Sequence, residues 1–194
     1  VSAPGVEADV TVGAGRPAAA FLDVRDLRVE FATEDGVVRA VDGVSYTVDR
    51  GKTLAVVGES GSGKSVTSNA VMGLLNPRQA TITGQALLDG EDLVAATPDR
   101  VRLLRGSRMA MIFQDPLSSL HPFKNIGKQL VEAVRIKKDV DKATARARAL
   151  EMLERVGIPN AAARIDEYPH QLSGGMRQRV MIAMALINDP EMLI

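Results

Sequence analysis

Gly58-Glu59-Ser60-Gly61-Ser62-Gly63-Lys64-Ser65 fits G-x-x-x-x-G-K-[ST] at every fixed position. The apolar run Leu54-Ala55-Val56-Val57 precedes it, and Val66 to Leu75 follows with helical composition. Strand, glycine-rich loop and helix form the context in which such a motif carries meaning. Glycines let the backbone curl so that several N–H groups point inward at a polyphosphate. The start of the following helix adds its positive dipole end. Lys64 supplies a mobile point charge for the outer phosphates, and the Ser65 hydroxyl is a hard oxygen ligand suited to Mg²⁺. The competing reading is a glycine-rich surface turn, which does not account for the lysine, the serine and the flanking elements together.

The chain's 194 residues suit one α/β domain with room for a small inserted subdomain. Lys+Arg and Asp+Glu both number 24, so no basic excess points to nucleic acid. The absence of cysteine excludes disulfides and thiolate metal sites and accords with a reducing cytoplasm. The longest apolar run, Val180 to Ile187, is too short to span a bilayer, so membrane association is expected through a partner.

Residues 1–20, rich in Val, Ala, Gly and Pro, read as a disordered leader; Glu7, Asp9 and Gly13 spoil a signal peptide. The opening Val suggests a missing or unusual start. Phe21–Phe31 and Val37–Val48 alternate apolar and polar residues around the turn Thr33-Glu34-Asp35-Gly36, an antiparallel hairpin signal. Leu54–Val57 reads as a buried strand, Ile82–Leu88 as a strand ending in Asp89-Gly90, and Met109–Phe113 as a compact apolar strand. Helices are expected over Pro98–Arg105, Ile126–Ile136, Asp141–Val156, Ala161–Tyr168 and Ser173–Ile187, with Gln114–Asn125 as loop. Glu191–Ile194 begins a further buried strand.

Leu172-Ser173-Gly174-Gly175-Met176-Arg177-Gln178-Arg179 could by itself be an N-cap with a turn. Combined with the phosphate loop, and with Gln114 closing an apolar strand between them, it resembles the signature motif of the ATP-binding-cassette (ABC) ATPases. The resemblance covers the chain from Phe21. Phe113-Gln114-Asp115-Pro116-Leu117-Ser118-Ser119-Leu120 and Tyr168-Pro169-His170-Gln171 narrow it to the oligopeptide/dipeptide (and nickel) permease branch. His121 and Gln171 depart from that branch, where Asn and Glu are common.

The resemblance implies a P-loop NTPase with a RecA-like parallel sheet core, an N-terminal antiparallel β subdomain and an inserted α-helical signature subdomain over about 115–180. In it, Gly58, Glu59, Ser60, Gly61, Ser62, Gly63, Lys64 and Ser65 hold ATP, with Ser65 and Gln114 on Mg²⁺. Lys64 and Gln114 are the catalytic candidates. Phe31 stands where an aromatic ring stacks on adenine, with core packing as its alternative. Ser173, Gly174 and Gly175 face the γ-phosphate held by a second ABC ATPase subunit, so that two head-to-tail domains sandwich two nucleotides. Arg177 and Arg179 read as solvated or interdomain charges. Other implied partners are transmembrane permease subunits near Gln114 and, indirectly, an extracellular substrate-binding protein, with no nucleic acid. The implied location is the inner face of the plasma membrane.

The Walker B aspartate, catalytic glutamate and switch histidine of the family would lie beyond Ile194; Glu191, His121 and His170 stand at none of these positions. Residues 1–194 alone are therefore expected to bind ATP, to hydrolyse it poorly, and to hold an incomplete sheet. Two readings compete with a peptide-importer ATPase. One is a DNA-repair or chromosome-structure ATPase, disfavoured by the short cysteine-free stretch between Gln114 and Ser173. The other is a catalytically dead nucleotide-binding module.

Overall fold

Alternating apolar residues along Leu22–Thr33 bury Leu22, Val24, Leu27 and Val29 and build the central strand, β1, of a four-stranded antiparallel sheet. The computed structural model describes residues 20–34, 36–115 and 119–194, in two compact units divided between Ala96 and Thr97. The expected leader, Ala20 apart, lies outside the described residues, as do Asp35 of the first turn and 116–118 of the loop after Gln114.

In the first unit β1 pairs with β2 (Gly36–Val48) and β3 (Ala80–Leu88), and β3 with β4 (Glu91–Asp92), in the order β2-β1-β3-β4. The step from Val24 to Leu27 breaks the two-residue period, and a register shift falls there on both neighbours. The Asp26 N–H freed by the shift donates to Ser45 Oγ at 2.8 Å.

Leu54–Val57 corrects the sequence expectation. Residues 52–59 have no regular secondary structure, and Val57 is 88% exposed. An apolar run becomes a buried strand only when neighbours pair with it, and among the described residues it has no ladder partner. The helix after the loop, α1 (Lys64–Val71), is also shorter than its composition suggests. Leu74 N–H folds back onto Asn69 O at 2.9 Å and closes it.

The second unit carries five α-helices among its described residues: α2 (Pro98–Leu104), α3 (Ile126–Lys137), α4 (Lys142–Arg155), α5 (Ala161–Arg164) and α6 (Gly174–Leu186). Thr97, Asn125, Asp141 and Ser173 each accept a backbone N–H at a helix start, the caps that their side chains favour. Leu130, Val134, Ala149, Leu153, Ile165 and Val180 are members of one buried cluster to which α3, α4, α5 and α6 contribute. The parallel sheet is represented by β5 (Met109–Ala110) beside β6 (Met192–Leu193). Bonds from Ile112 N–H to Ile194 O and from Ile194 N–H to Ala110 O extend it.

The helix expected over Ala161–Tyr168 stops at Arg164, and Pro169–Gln171 forms a separate 3₁₀ turn. Ile165 O and Glu167 O accept from Gly127 N–H at 2.7 Å and Ile126 N–H at 3.0 Å, the unpaired donors at the start of α3. Tyr168 is extended before Pro169, and the carbonyls left at the end of the segment are satisfied by α3.

Leu153→Ala empties a fully buried site and should cost about 2–5 kcal/mol, while Ile136→Ala, 70% exposed, should stay within about 0.5 kcal/mol; urea denaturation of both variants checks this.

Hydrogen bonds from the Arg146 guanidinium, at 3.0 and 2.7 Å, hold the Asp166 carboxyl below its ordinary range, against a smaller opposing effect of burial. A depressed folded pKa adds stability above the unfolded value of about 4, lost as pH falls through the folded value. Asp166→Asn should therefore lower the denaturation midpoint slightly at pH 7 and make no difference in strong acid, as a pH series of melts would show.

Candidate functional site

Gly63 is the N-cap of α1, at φ +85, and a Cβ there would overlap the carbonyl oxygen of Ala40 in β2. Only glycine combines that left-handed turn with so close a backbone approach. The turn sets Lys64 at the first helical position, where its ammonium bends back over the loop. Lys64 Nζ donates to Gly58 O at 2.8 Å, Glu59 O at 2.6 Å and Ser62 Oγ at 3.1 Å. Ser62 N–H closes onto Glu59 O at 3.2 Å, so residues 58–64 form a ring around the lysine. A Cβ on Gly58 would lie 2.6 Å from Ser62 Oγ, so the hydroxyl would have to rotate away from the lysine.

Ser65 is exposed on the first turn of α1, and among the described residues its hydroxyl makes no hydrogen bond. Glu59, Ser60 and Gly61 are also exposed. Thr67, buried and absent from the sequence-derived candidates, donates to Gly63 O at 3.0 Å and steadies the turn. Its i+4 spacing from Gly63 is the signal that marks it. Phe31 pairs across the sheet with Val38 and Ala80 and is only part-buried, outside the core; Val38 is 52% exposed.

In the second unit Gln114 is exposed on a bend beyond the β5 ladder, next to a half-exposed Phe113. Ser173, Gly174 and Gly175 are exposed at the start of α6, where Ser173 Oγ accepts from Met176 N–H at 3.3 Å. Both glycines have ordinary helical φ, and a Cβ on either would meet nothing within 4 Å. Glycine inside a helix costs up to about 1 kcal/mol relative to alanine. Among the described residues no close contact or unusual backbone angle at either glycine accounts for that cost. Among the described residues no hydrogen bond joins Gln114 to Ser173–Gly175.

Arg179, read from the sequence as a solvated or interdomain charge, is bonded within its own unit. Its Nη1 donates to Gly157 O at 2.6 Å, a partner too distant in sequence for spacing to reveal. His121 Nδ1 accepts from Phe123 N–H and Gln171 Oε1 from Tyr168 N–H. Both departures from the permease branch thus fill an acceptor role that Asn or Glu also supplies. Pro122, Phe123, Tyr168, His170 and Gln171 line a cleft of about 550 Å³, with Phe123 85% exposed.

The family model for ABC transporters matches residues 41–194, taking in both the phosphate loop and the start of α6. The chain belongs to the ABC transporter family. It is 48% identical over 175 residues to the oligopeptide transport ATP-binding protein OppD of Bacillus subtilis (strain 168), covering 90% of this chain and 49% of that protein. It is 47% identical over 175 residues to the dipeptide transport ATP-binding protein DppD of Escherichia coli (strain K12), covering 90% and 54%. The chain therefore spans about half the length of the curated relatives it matches. Among solved structures, the dimeric bacterial ABC transporter cassette MJ0796 superposes with a TM-score of 0.78 at 25% identity, covering 89% of this chain and 72% of that one. The same cassette is known in a post-hydrolysis state bound to ADP and Pi. The fold is accordingly the mixed α/β ABC cassette, with an antiparallel β subdomain and a parallel sheet.

The glycines divide by role. Gly174→Ala and Gly175→Ala should each leave stability unchanged or raise it by up to about 1 kcal/mol, whereas Gly63→Ala should lower it by more than about 1 kcal/mol; urea midpoints of the three variants test the contrast.

Proposed function

We propose that this ABC-family chain is the ATP-binding part of an importer subunit for di- or oligopeptides. One observation carries the ATP reading. Lys64 places a cation at the positive end of its own helix, held only by neutral oxygens of Gly58, Glu59 and Ser62. A positive charge is unfavourable there by a few tenths to about 1 kcal/mol. A polyphosphate reverses that sign, taking the lysine's charge and the helix dipole together.

In this reading 21–194 is one nucleotide-binding domain with a helical subdomain over about 115–180. Phe31, only part-buried, stacks on the base and reads it loosely, because a ring face offers no hydrogen-bond pattern. The free Ser65 hydroxyl and the exposed Gln114 amide oxygen suit Mg²⁺, which prefers oxygen ligands. No cluster of three or more His, Cys, Asp or Glu capable of holding a metal occurs among the described residues, so the ion would arrive with the phosphates. It would neutralise charge on the β- and γ-oxygens when bound. Ser173, Gly174 and Gly175 present a hydroxyl and bare backbone at a helix start, an anion site directed at nucleotide on a second ATPase subunit.

No described helix is long and apolar enough to cross a membrane, so transport requires permease chains. We dock these at the aromatic cleft of Phe123 and Tyr168, on the inner membrane face, with an extracellular binding protein delivering cargo to them. Peptide cargo rests on the names of the OppD and DppD relatives.

Titration of the chain with a fluorescent ATP analogue and Mg²⁺ should give saturable binding, weakened roughly 10- to 100-fold by Lys64→Ala, the loss of charge-assisted bonds of about 1.5–3 kcal/mol. Unchanged affinity in that variant would refute the site. For the cargo, cells whose genomic copy carries Lys64→Ala should fail to accumulate labelled dipeptides or tripeptides while still taking up free amino acids.

A further inference from the structure

The first turn of α6 is weakly built. Its first two residues are glycines, no acidic side chain complements its dipole, and its cap bond from Met176 N–H to Ser173 Oγ is long at 3.3 Å. Yet the proposed anion site requires this turn to be held in place before any phosphate arrives. Something beyond its own sequence must hold it.

The end of α4 supplies that support. Gly157, at φ +78, wraps the chain so that its N–H reaches Glu154 O and the Ile158 N–H reaches Leu153 O, both at 2.9 Å. The carbonyls of Val156 and Gly157 then point away from the helix. Arg179, about one and a half turns into α6, donates from Nη1 to Gly157 O at 2.6 Å and Val156 O at 3.4 Å. A cation on carbonyls at a helix C-terminus is favourable on charge as well as geometry. The positive φ favours glycine at 157, and a Cβ there would lie 2.5 Å from the same Nη1 and push it off the carbonyl. Ile158, Leu172 and Val180 belong to one buried cluster, so the polar tie has apolar packing around both of its ends.

We infer that Arg179 is the positioning residue of the signature turn: it fastens the start of α6 to the Val156–Gly157 end of α4, and Gly157 exists to admit it. Its use in catalysis rests on the reading of Ser173–Gly175 as the partner-facing anion site. Arg179 itself touches no phosphate. A single nitrogen makes both contacts, so a lysine ammonium can replace the guanidinium, whereas glutamine, shorter and neutral, cannot.

Amide hydrogen exchange on the full 194-residue chain without nucleotide tests the tie directly. Arg179→Gln should speed exchange at Met176, Arg177 and Gln178 at least tenfold, and leave the last turn of α6, Ala183–Leu186, and the centre of α3 unchanged. Arg179→Lys should restore slow exchange. Gly157→Ala, which displaces Nη1 without removing it, should open the same three amides, and the double variant should add nothing. Unaltered exchange at those amides, equal acceleration throughout α3, α4 and α6, or no rescue by lysine would overturn the inference. Because nucleotide is absent, the outcome is independent of the proposed function. ATP-analogue affinity and ATP-dependent self-association of the same variants then probe the functional link. Arg179→Gln should leave affinity at the phosphate loop unchanged and weaken association about tenfold. Failure of the wild-type chain to bind the analogue would count against the proposed function and leave the exchange result standing.

Discussion

Backbone groups at helix ends have no partner inside their own helix, and the second unit is organised by how it finds them partners elsewhere. Lys137 Nζ donates to the carbonyls of Arg102 and Leu103 at the end of α2. The first N–H groups of α3 reach Ile165 O and Glu167 O. Arg179 covers the end of α4, and Arg148 Nε donates to Ile187 O at 2.6 Å where α6 ends. Each bond joins elements distant in sequence, so the helices are fixed in angle and register as well as packed. A buried apolar cluster alone tolerates sliding, whereas a donor 2.6 Å from a carbonyl does not.

The same requirement explains why both halves of the proposed site lie at helix starts. At α1 the helix start follows a loop that holds a lysine, and at α6 the helix begins with two exposed glycines. In one case the neighbouring charge has the wrong sign for the helix, in the other the neighbouring residues have the wrong propensity. Departures of this kind from local preference mark positions where an external group completes the structure. Gly63 and Gly174 show that one residue type answers two different demands. The first needs a backbone angle and room for Ala40 O, and the second only leaves room.

Within the family, the chain carries a phosphate loop in one compact unit and a signature turn in the other. Lys137 illustrates how the helical unit manages its charge. Burial, then the nearby charges of Arg102 and Arg105, lower its pKa, yet its ammonium still serves as a cap. Its two bonds to Arg102 O and Leu103 O finish α2.

Features governed by neighbouring residues are readable from the chain alone. Asn125, Asp141 and Ser173 mark helix starts because a cap is a bond across three residues, and the phosphate loop is legible because its glycines, lysine and serine act within eight positions. The β1–β2 hairpin is legible because alternation and a turn determine it together. Leu54–Val57 misleads because strand formation is decided by a neighbour that composition does not name. The role of Arg179 is illegible because its partner lies at Gly157. Sequence thus determined which residues cap helices and where the glycine-rich loop lies. Tertiary structure decided what satisfies helix ends and what holds the signature turn, because those bonds join backbone atoms that only folding brings together.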